Sequence, residues 1–427
     1  MKEYSIERQA PWLVGLPESW EIRKVKYFFN VVNGSTPKSS ESTYWGGDIT
    51  WITPADYKTE DKYICSSRKA ITQEGLDSCG TSKVPAGSII VSNRAPIGSI
   101  GIAEKELCTS QGCKSLVKIA EINEEYIYYY LSVMSGPLNM LGRGTTFMEL
   151  SSNDLANFRL PIPTLKDQNA IVQILNKKIV AINDVINKKA KVIELLEEQR
   201  ISIICSAVTK GIDSTAEMKD SGVEWLGEIP AHWNVLTNHQ LFAERNIKCA
   251  EQDAVLLSVT KYLGVILQSQ AEELNLATVA PAETTEGYKV VHKGDLVMNI
   301  MRAKDGSYGI SGYDGVISPA YCIYYPRQKV NPQYLYYLFK TPMYMEIFKN
   351  YSTGIAEHRM RLYPVNFFKI PAVVPPLEEQ NEIVTYLDKR VKDIDELISL
   401  TQQQIEKLKE YRQSVISEVV TGKVAVE

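Results

Sequence analysis

The chain has 427 residues, 44% of them hydrophobic, which is enough for two or three domains that each bury a core. Seven cysteines without a CxxC pair argue against a disulfide framework or a tetrahedral zinc site, and no apolar run approaches the roughly 18 residues of a membrane helix. The net charge of −4, with no segment strongly basic, means that if DNA is bound the positive groups must gather on one face.

The charged start MKEYSIERQA does not read as a signal peptide, so the expected compartment is the cytoplasm, with no membrane partner. The first distinctive element is WLVGLPESW, Trp12 to Trp20. Short β-like runs at 49–53, 87–91, 98–103 and 114–119 follow between glycine and proline signals, then a helical stretch over 124–134 that carries the tyrosines of 126–130. After Pro163, in PTLKDQNAIVQIL, apolar residues fall on a helical period: Ile171, Leu175, Ile182, Ile186, Ile193, Leu196, Ile203 and Ala207. From Ile182 the steps alternate four and three, a heptad seam interrupted by Lys189 and Arg200. Asp167 suits the first turn and Gly211 the stop. About 43 residues at about 1.5 Å each predict a rod of about 65 Å.

The rest of the chain repeats this design. WLGEIPAHW, Trp225 to Trp233, returns 213 positions after its first copy. Asn123, Tyr126, Tyr128 and Tyr129 reappear 208 positions on as Asn331, Tyr334, Tyr336 and Tyr337, and Gly98, Ser99 and Gly101 as Gly306, Ser307 and Gly309. β-like runs at 254–259, 295–300 and 321–325 precede a helical stretch over 332–340. PPLEEQNEIVTYL then opens a second seam of Ile394, Ile398, Thr401, Ile405, Leu408, Arg412, Val415 and Val419, which stops at Gly422. A period above 200 residues is too long for a solenoid, so this is a duplicated unit. The expected fold is mixed α/β: two globular domains in tandem, separated by two long helices that pair as an antiparallel coiled coil, with an internal pseudo-twofold repeat. Boundaries are expected at 1–162, 163–212, 213–374 and 375–427. The pairing and partner surface is expected at Ile182, Ile186, Ile193, Leu196 and Arg200 on one helix, and at Ile394, Ile398, Ile405, Leu408 and Arg412 on the other.

A self-contained enzyme needs a constellation that is missing here. There is no GxxxxGK[ST] loop and no Rossmann fingerprint, and His232, His239, His292 and His358 are scattered without ligand spacing. Pro54, Asp56, Glu60 and Lys62 echo a nuclease cluster, with too few residues between its parts. No catalytic and no metal-binding residues are expected. The tyrosine clusters, Trp20 and Trp233 read as packing rather than as a base-stacking platform.

Duplicated halves, each entered through W-L-x-x-[LI]-P-x-x-W and followed by a long helix opening P-x-L-x-[DE]-Q-x-x-I-V, resemble the specificity subunits of type I restriction-modification enzymes. KDSGVEWLGEIPAHW at Lys219 to Trp233, GSTP at Gly34 to Pro37 and DITWITPAD at Asp48 to Asp56 are the closest parts, and the likeness runs from about Trp12 to Lys423. The resemblance implies a non-catalytic subunit whose two target-recognition domains each read half of a split site in double-stranded DNA. The paired helices hold those domains at a fixed distance and dock two methyltransferase subunits, which restriction subunits join. It places S-adenosylmethionine, ATP and magnesium on those partners and no cofactor on this chain. The alternatives are a stand-alone DNA-modifying enzyme and a coiled-coil scaffold.

The halves share a frame and differ within it: residues 34–85 hold GSTP and WITPAD, whereas 246–290 hold LLSVTKYLGVI. Unlike half-sites follow. Candidate DNA contacts are polar or basic residues of the glycine-rich loops, because arginine reads guanine, asparagine reads adenine, and lysine and hydroxyls hold phosphates. In the first half these are Asn93, Arg94, Ser99, Arg143, Thr145 and Thr146. In the second they are Lys261, Asn299, Arg302, Lys304, Ser307, Thr353, Arg359 and Arg361.

Overall fold

Four consecutive buried side chains, as in Ile89–Ser92, require a strand covered on both faces, and that strand sits at the centre of a five-stranded sheet. The computed structural model describes residues 11–57, 61–94, 96–143, 148–251, 253–276, 284–354 and 360–424. Its strand order is Phe29–Asn33, Cys113–Lys118, Ile89–Ser92, Ile100–Ala103, Tyr63–Ile64, antiparallel except for the last pair. A smaller sheet joins Lys69–Ile71, Trp45–Ile52 and Cys108–Thr109. In the second half a four-stranded antiparallel sheet runs Phe242–Glu244, Tyr321–Pro326, Leu296–Asn299, Tyr308–Ile310. Beside it lies the hairpin Leu257–Thr260 with Gly264–Leu267. The β-like runs expected from sequence match these strands to within four residues. The strand Gly264–Leu267 and the helix Pro342–Asn350 were not among the expected elements, although Tyr344, Ile347 and Phe348 share one helical face behind the Thr341 cap.

Four helices carry the repeat: α1 (Glu124–Ser132), α2 (Leu165–Lys210), α3 (Pro332–Phe339) and α4 (Leu377–Val420). Gly211 and Gly422 end the long ones with φ of 80° and 69°, the left-handed stop that glycine adopts without strain.

The chain forms two compact units, one of residues 1–189 with 403–427, the other of residues 190–402. These units cut through both long helices rather than falling at 162, 212 and 374, because opposite ends of each helix pack into different cores. In the first unit Phe29, Leu116, Tyr126 and Leu160 pack with Ile171 and Leu175 of α2 and with Val415, Val419 and Val420 of α4. In the second, Trp233, Phe242, Tyr334 and Phe367 pack with Ile204 and Val208 of α2 and with Ile383 and Leu387 of α4.

Each unit shows the helices pairing antiparallel. In the first, Arg412 Nη1 donates to Asn183 Oδ1 at 2.5 Å and Lys189 Nζ to Gln404 Oε1 at 2.6 Å, so the partner number falls as the α2 number rises. In the second, Arg200 and Asp395 form an ion pair at 3.1 Å. The polar interruptions of both heptads therefore find partners within the chain. Ile182, Ile186, Ile394 and Ile405 are buried, whereas Ile193, Leu196, Ile398 and Leu408 are half-buried, because two helices alone cover only one side of each seam.

The opening motif of each long helix explains how helix and domain are joined. Gln168 Oε1 accepts from the Asn123 backbone N–H at 2.9 Å, its Nε2 donates to Pro163 O at 3.0 Å, and Asn169 Oδ1 accepts from Asn123 Nδ2 at 2.7 Å. Gln380, Asn331, Pro375 and Asn381 repeat the pattern at 2.8 Å for each of the three bonds. Both asparagines also cap their tyrosine helices. The tyrosines pack as the sequence implied: Tyr126 and Tyr334 are fully buried and donate to Pro161 O and Val373 O at 2.9 and 3.2 Å.

Gln380 is almost fully buried, so Gln380→Ala would orphan the part-buried Asn331 N–H and the buried Pro375 carbonyl. A loss of about 2 kcal/mol in unfolding free energy is expected, measured by urea denaturation; an unchanged midpoint would contradict this bracket.

Candidate nucleic-acid interface

In both units one backbone hook ties two loops together. Leu150 N donates to Asn93 O, and Leu362 N donates to Ile300 O, each at 2.9 Å. In the first unit the hook joins the 93–99 turn to a loop closed by the backbone pair Arg143 and Glu149. In the second it joins the 299–307 turn to a loop closed by Thr353 and Arg361. The framework glycines serve close approach: a Cβ on Gly34, the start of GSTP, would collide with Ser110 O and Thr109 O.

The candidate contacts fall into three groups. Arg94, Arg143, Lys261, Arg302, Thr353 and Arg361 are exposed on or beside these hooked loops. Arg94 donates from Nε and Nη2 to Glu149 Oε2 at 3.3 and 3.1 Å, and Arg143 meets Asp154 Oδ1 at 3.1 Å. Such surface pairs are worth about 0–1 kcal/mol, so each guanidinium can be drawn away by a phosphate or a guanine edge. Half-buried Ser99 lines a 420 Å³ cavity with Tyr128, Tyr129 and Arg412, while Asn299 and Lys304 are half-buried in their turn.

Asn93 and Ser307, also candidate contacts, are buried. Asn93 Nδ2 donates to Glu149 Oε1 at 2.9 Å, and the Ser307 backbone closes the turn with Asn299 and Arg302. They build the frame. Thr145, Thr146 and Arg359 lie outside the described residues. The nuclease-like cluster also dissolves: Asp56 caps Thr53 at 2.7 and 2.8 Å and Lys62 donates to Glu125 at 2.6 Å, while Glu60 lies outside the described residues. Among the described residues no group of three His, Cys, Asp or Glu could hold a metal ion, and no helix is long and apolar enough to cross a membrane.

Two lysines beneath the loops escaped sequence reasoning, since nothing in their spacing marks them. Lys114 is buried on its strand, donates to Asn33 Oδ1 at 2.9 Å, and has its amine pushed below the ordinary range by burial, with Glu149 opposing and Arg94 adding to the shift. Lys340, at the end of α3, donates to Lys261 O and Gly306 O at 2.7 and 2.5 Å.

With this geometry in view, a family model described as the type I restriction modification DNA specificity domain matches residues 17–195 and 246–410. The chain belongs to that family. Similar proteins include the MjaIX specificity subunit of Methanocaldococcus jannaschii, 35% identical over 43% of this chain and 42% of the relative. The MjaVIII specificity subunit of the same organism is 22% identical over 96% of this chain and 94% of its own length. A chain solved in work on assembly and conformational transition of the type I R-M system has the same fold, with a TM-score of 0.69 at 16% identity over 96% of this chain and 99% of that one. The tandem α/β architecture with two long helices is thus the architecture of the family, and the two matched segments are its two specificity domains.

Burial, with the nearby Lys261 ammonium as a second cause, pushes the Lys340 amine from 10.5 down to about 8. Between about pH 8 and 10 the unfolded chain therefore binds more protons than the folded one, and this group makes stability rise with pH there. Above that window buried tyrosines such as Tyr344, pushed up by burial, act in the opposite sense. Wild type should gain about 1–2 kcal/mol over Lys340→Met between pH 7 and 9.5 in denaturant titrations; a constant difference would show the amine to be unshifted.

Proposed function

We propose that this chain is the non-catalytic DNA-recognition subunit of a type I restriction-modification complex, and that its two units read the two unlike halves of a bipartite, asymmetric site in double-stranded DNA. The carrying observation is the hook: the same backbone bond, at the same 2.9 Å, holds loops that share position and differ in side chains. Arg94 and Arg143 occupy one pair of loops; Arg302, Lys304 and Arg361 occupy the other. A common frame with different polar tips is what recognition of two different base sequences requires.

The long helices support docking of methyltransferase subunits, through which restriction subunits join. In the second unit Val192, Leu195 and Ile201 of α2 and Leu397 and Leu400 of α4 remain exposed, a concentration of apolar side chains that suits partner helices. Two methyltransferase subunits would match the duplicated design. S-adenosylmethionine, ATP and magnesium belong, on this reading, to those partners, and the complex works in the cytoplasm.

Selecting bound duplexes from a random pool with the assembled methyltransferase complex tests this reading. Arg94→Ala should relax base preference in one half-site by about tenfold and leave the other intact. A loss uniform across all sequences would make Arg94 a phosphate contact, and a wild-type complex that selects no motif would overturn the recognition role.

A further inference from the structure

The hairpin Leu257–Thr260 with Gly264–Leu267 ends in the tip Lys261, Tyr262, Leu263. At that tip Tyr262 is 77% exposed and Leu263 52%, side by side, with Lys261 Nζ 5.2 Å from the Tyr262 ring. Isolated exposed apolar residues are common and need no reason. Here, however, the backbone beneath them is fixed at three points. Thr260 Oγ1 accepts from Leu263 N at 3.0 Å and donates to Gly264 O at 3.3 Å. Gly264, at φ 66°, lies so close to the Tyr308–Ile310 strand that a Cβ on Gly309 would fall 2.7 Å from its Cα. Lys340 Nζ, 4.8 Å from the Tyr308 ring centre and 5.3 Å from that of Tyr336, bonds the carbonyls of Lys261 and Gly306. The last bond joins the tip to the turn that carries Arg302 and Lys304.

We propose that Lys340 is a positioning residue: it locks the Lys261–Leu263 tip against the 303–306 turn, so that Tyr262 enters the second half-site as a fixed apolar wedge between base pairs. This deepens the DNA-recognition reading and rests on it. An aromatic tip on a rigid turn, with a cation alongside, fits partial unstacking of a base step while the cation meets the adjacent phosphate. The ammonium is also placed where burial and the Lys261 charge disfavour its protonation. Its three donors are what the two carbonyls use.

The test uses the full chain assembled with its methyltransferase subunits and a duplex bearing its mapped methylation motif, with 2-aminopurine placed in turn at each step of the half-site affected by Arg302→Ala. Wild type should raise the fluorescence at one step. Tyr262→Ala should abolish that rise, and Lys340→Met should lower it with about tenfold weaker discrimination in this half-site only. Lys340→Arg, which keeps a cation and its donors, should restore both. All variants are compared at matched far-ultraviolet circular dichroism and a cooperative melt. Wild-type fluorescence with Tyr262→Ala overturns the wedge; wild-type discrimination with Lys340→Met, or equal losses in both half-sites, overturns the lock. A wild-type complex that discriminates in neither half-site fails the recognition reading itself, and this inference with it.

Discussion

Neither core of this protein closes without ends of both long helices, and in the first unit one of those ends comes from the far terminus of the sequence. Val415, Val419 and Val420 complete the core built on Phe29, Tyr126 and Leu160, and Ile204, Ala207 and Val208 complete the one built on Trp233, Phe242 and Tyr334. Burying each such side chain contributes on the order of 1–3 kcal/mol, more than any surface ion pair on the molecule. The remainder follows from this exchange. The helices must run antiparallel for each unit to receive one beginning and one end, and the Gln–Asn brackets must fix each beginning to its own tyrosine helix. The entry motif closes the arrangement: Gly211 packs beside Trp233, while Gly422 packs against Pro17 and Trp20, with no room for a side chain.

On that frame the recognition loops can be electrostatically inconspicuous. A chain of net charge −4 would repel DNA if its acids were spread evenly, and at the first unit's loops the acids are instead paired with the arginines. Glu149 and Asp154 pair with the exposed Arg94 and Arg143 at little energetic advantage, which keeps them available. Buried Lys114 and half-buried Lys340 work from below, each bonded to an oxygen of the frame that carries the loops. Partial neutralisation of this kind favours selective contact over indiscriminate attraction to phosphate.

The duplication, the long helices and the tyrosine packing were legible because each leaves a mark in the sequence: offsets of 208 to 213, a four-three alternation, and tyrosines repeated at the same place in two helical stretches. The division into units was not legible. Periodicity locates a helix, but which core each end joins depends on contacts across 200 residues. Candidate contacts were legible only as loops. That Arg94 is exposed while its neighbour Asn93 is buried depends on the hook to Leu150, and Glu149 entered no motif although it pairs with both residues. The wedge at Tyr262 escaped for a related reason, since KYL between two β-branched runs has the composition of an ordinary turn.

The central claim is that two units on one frame read two different base sequences. Base-resolution mapping of N6-methyladenine in cells that co-express this chain with the methyltransferase subunit of its system tests it most directly. A split, asymmetric motif with a constant unread gap is the predicted result. A short continuous motif that persists when the second unit's loops are replaced would contradict it.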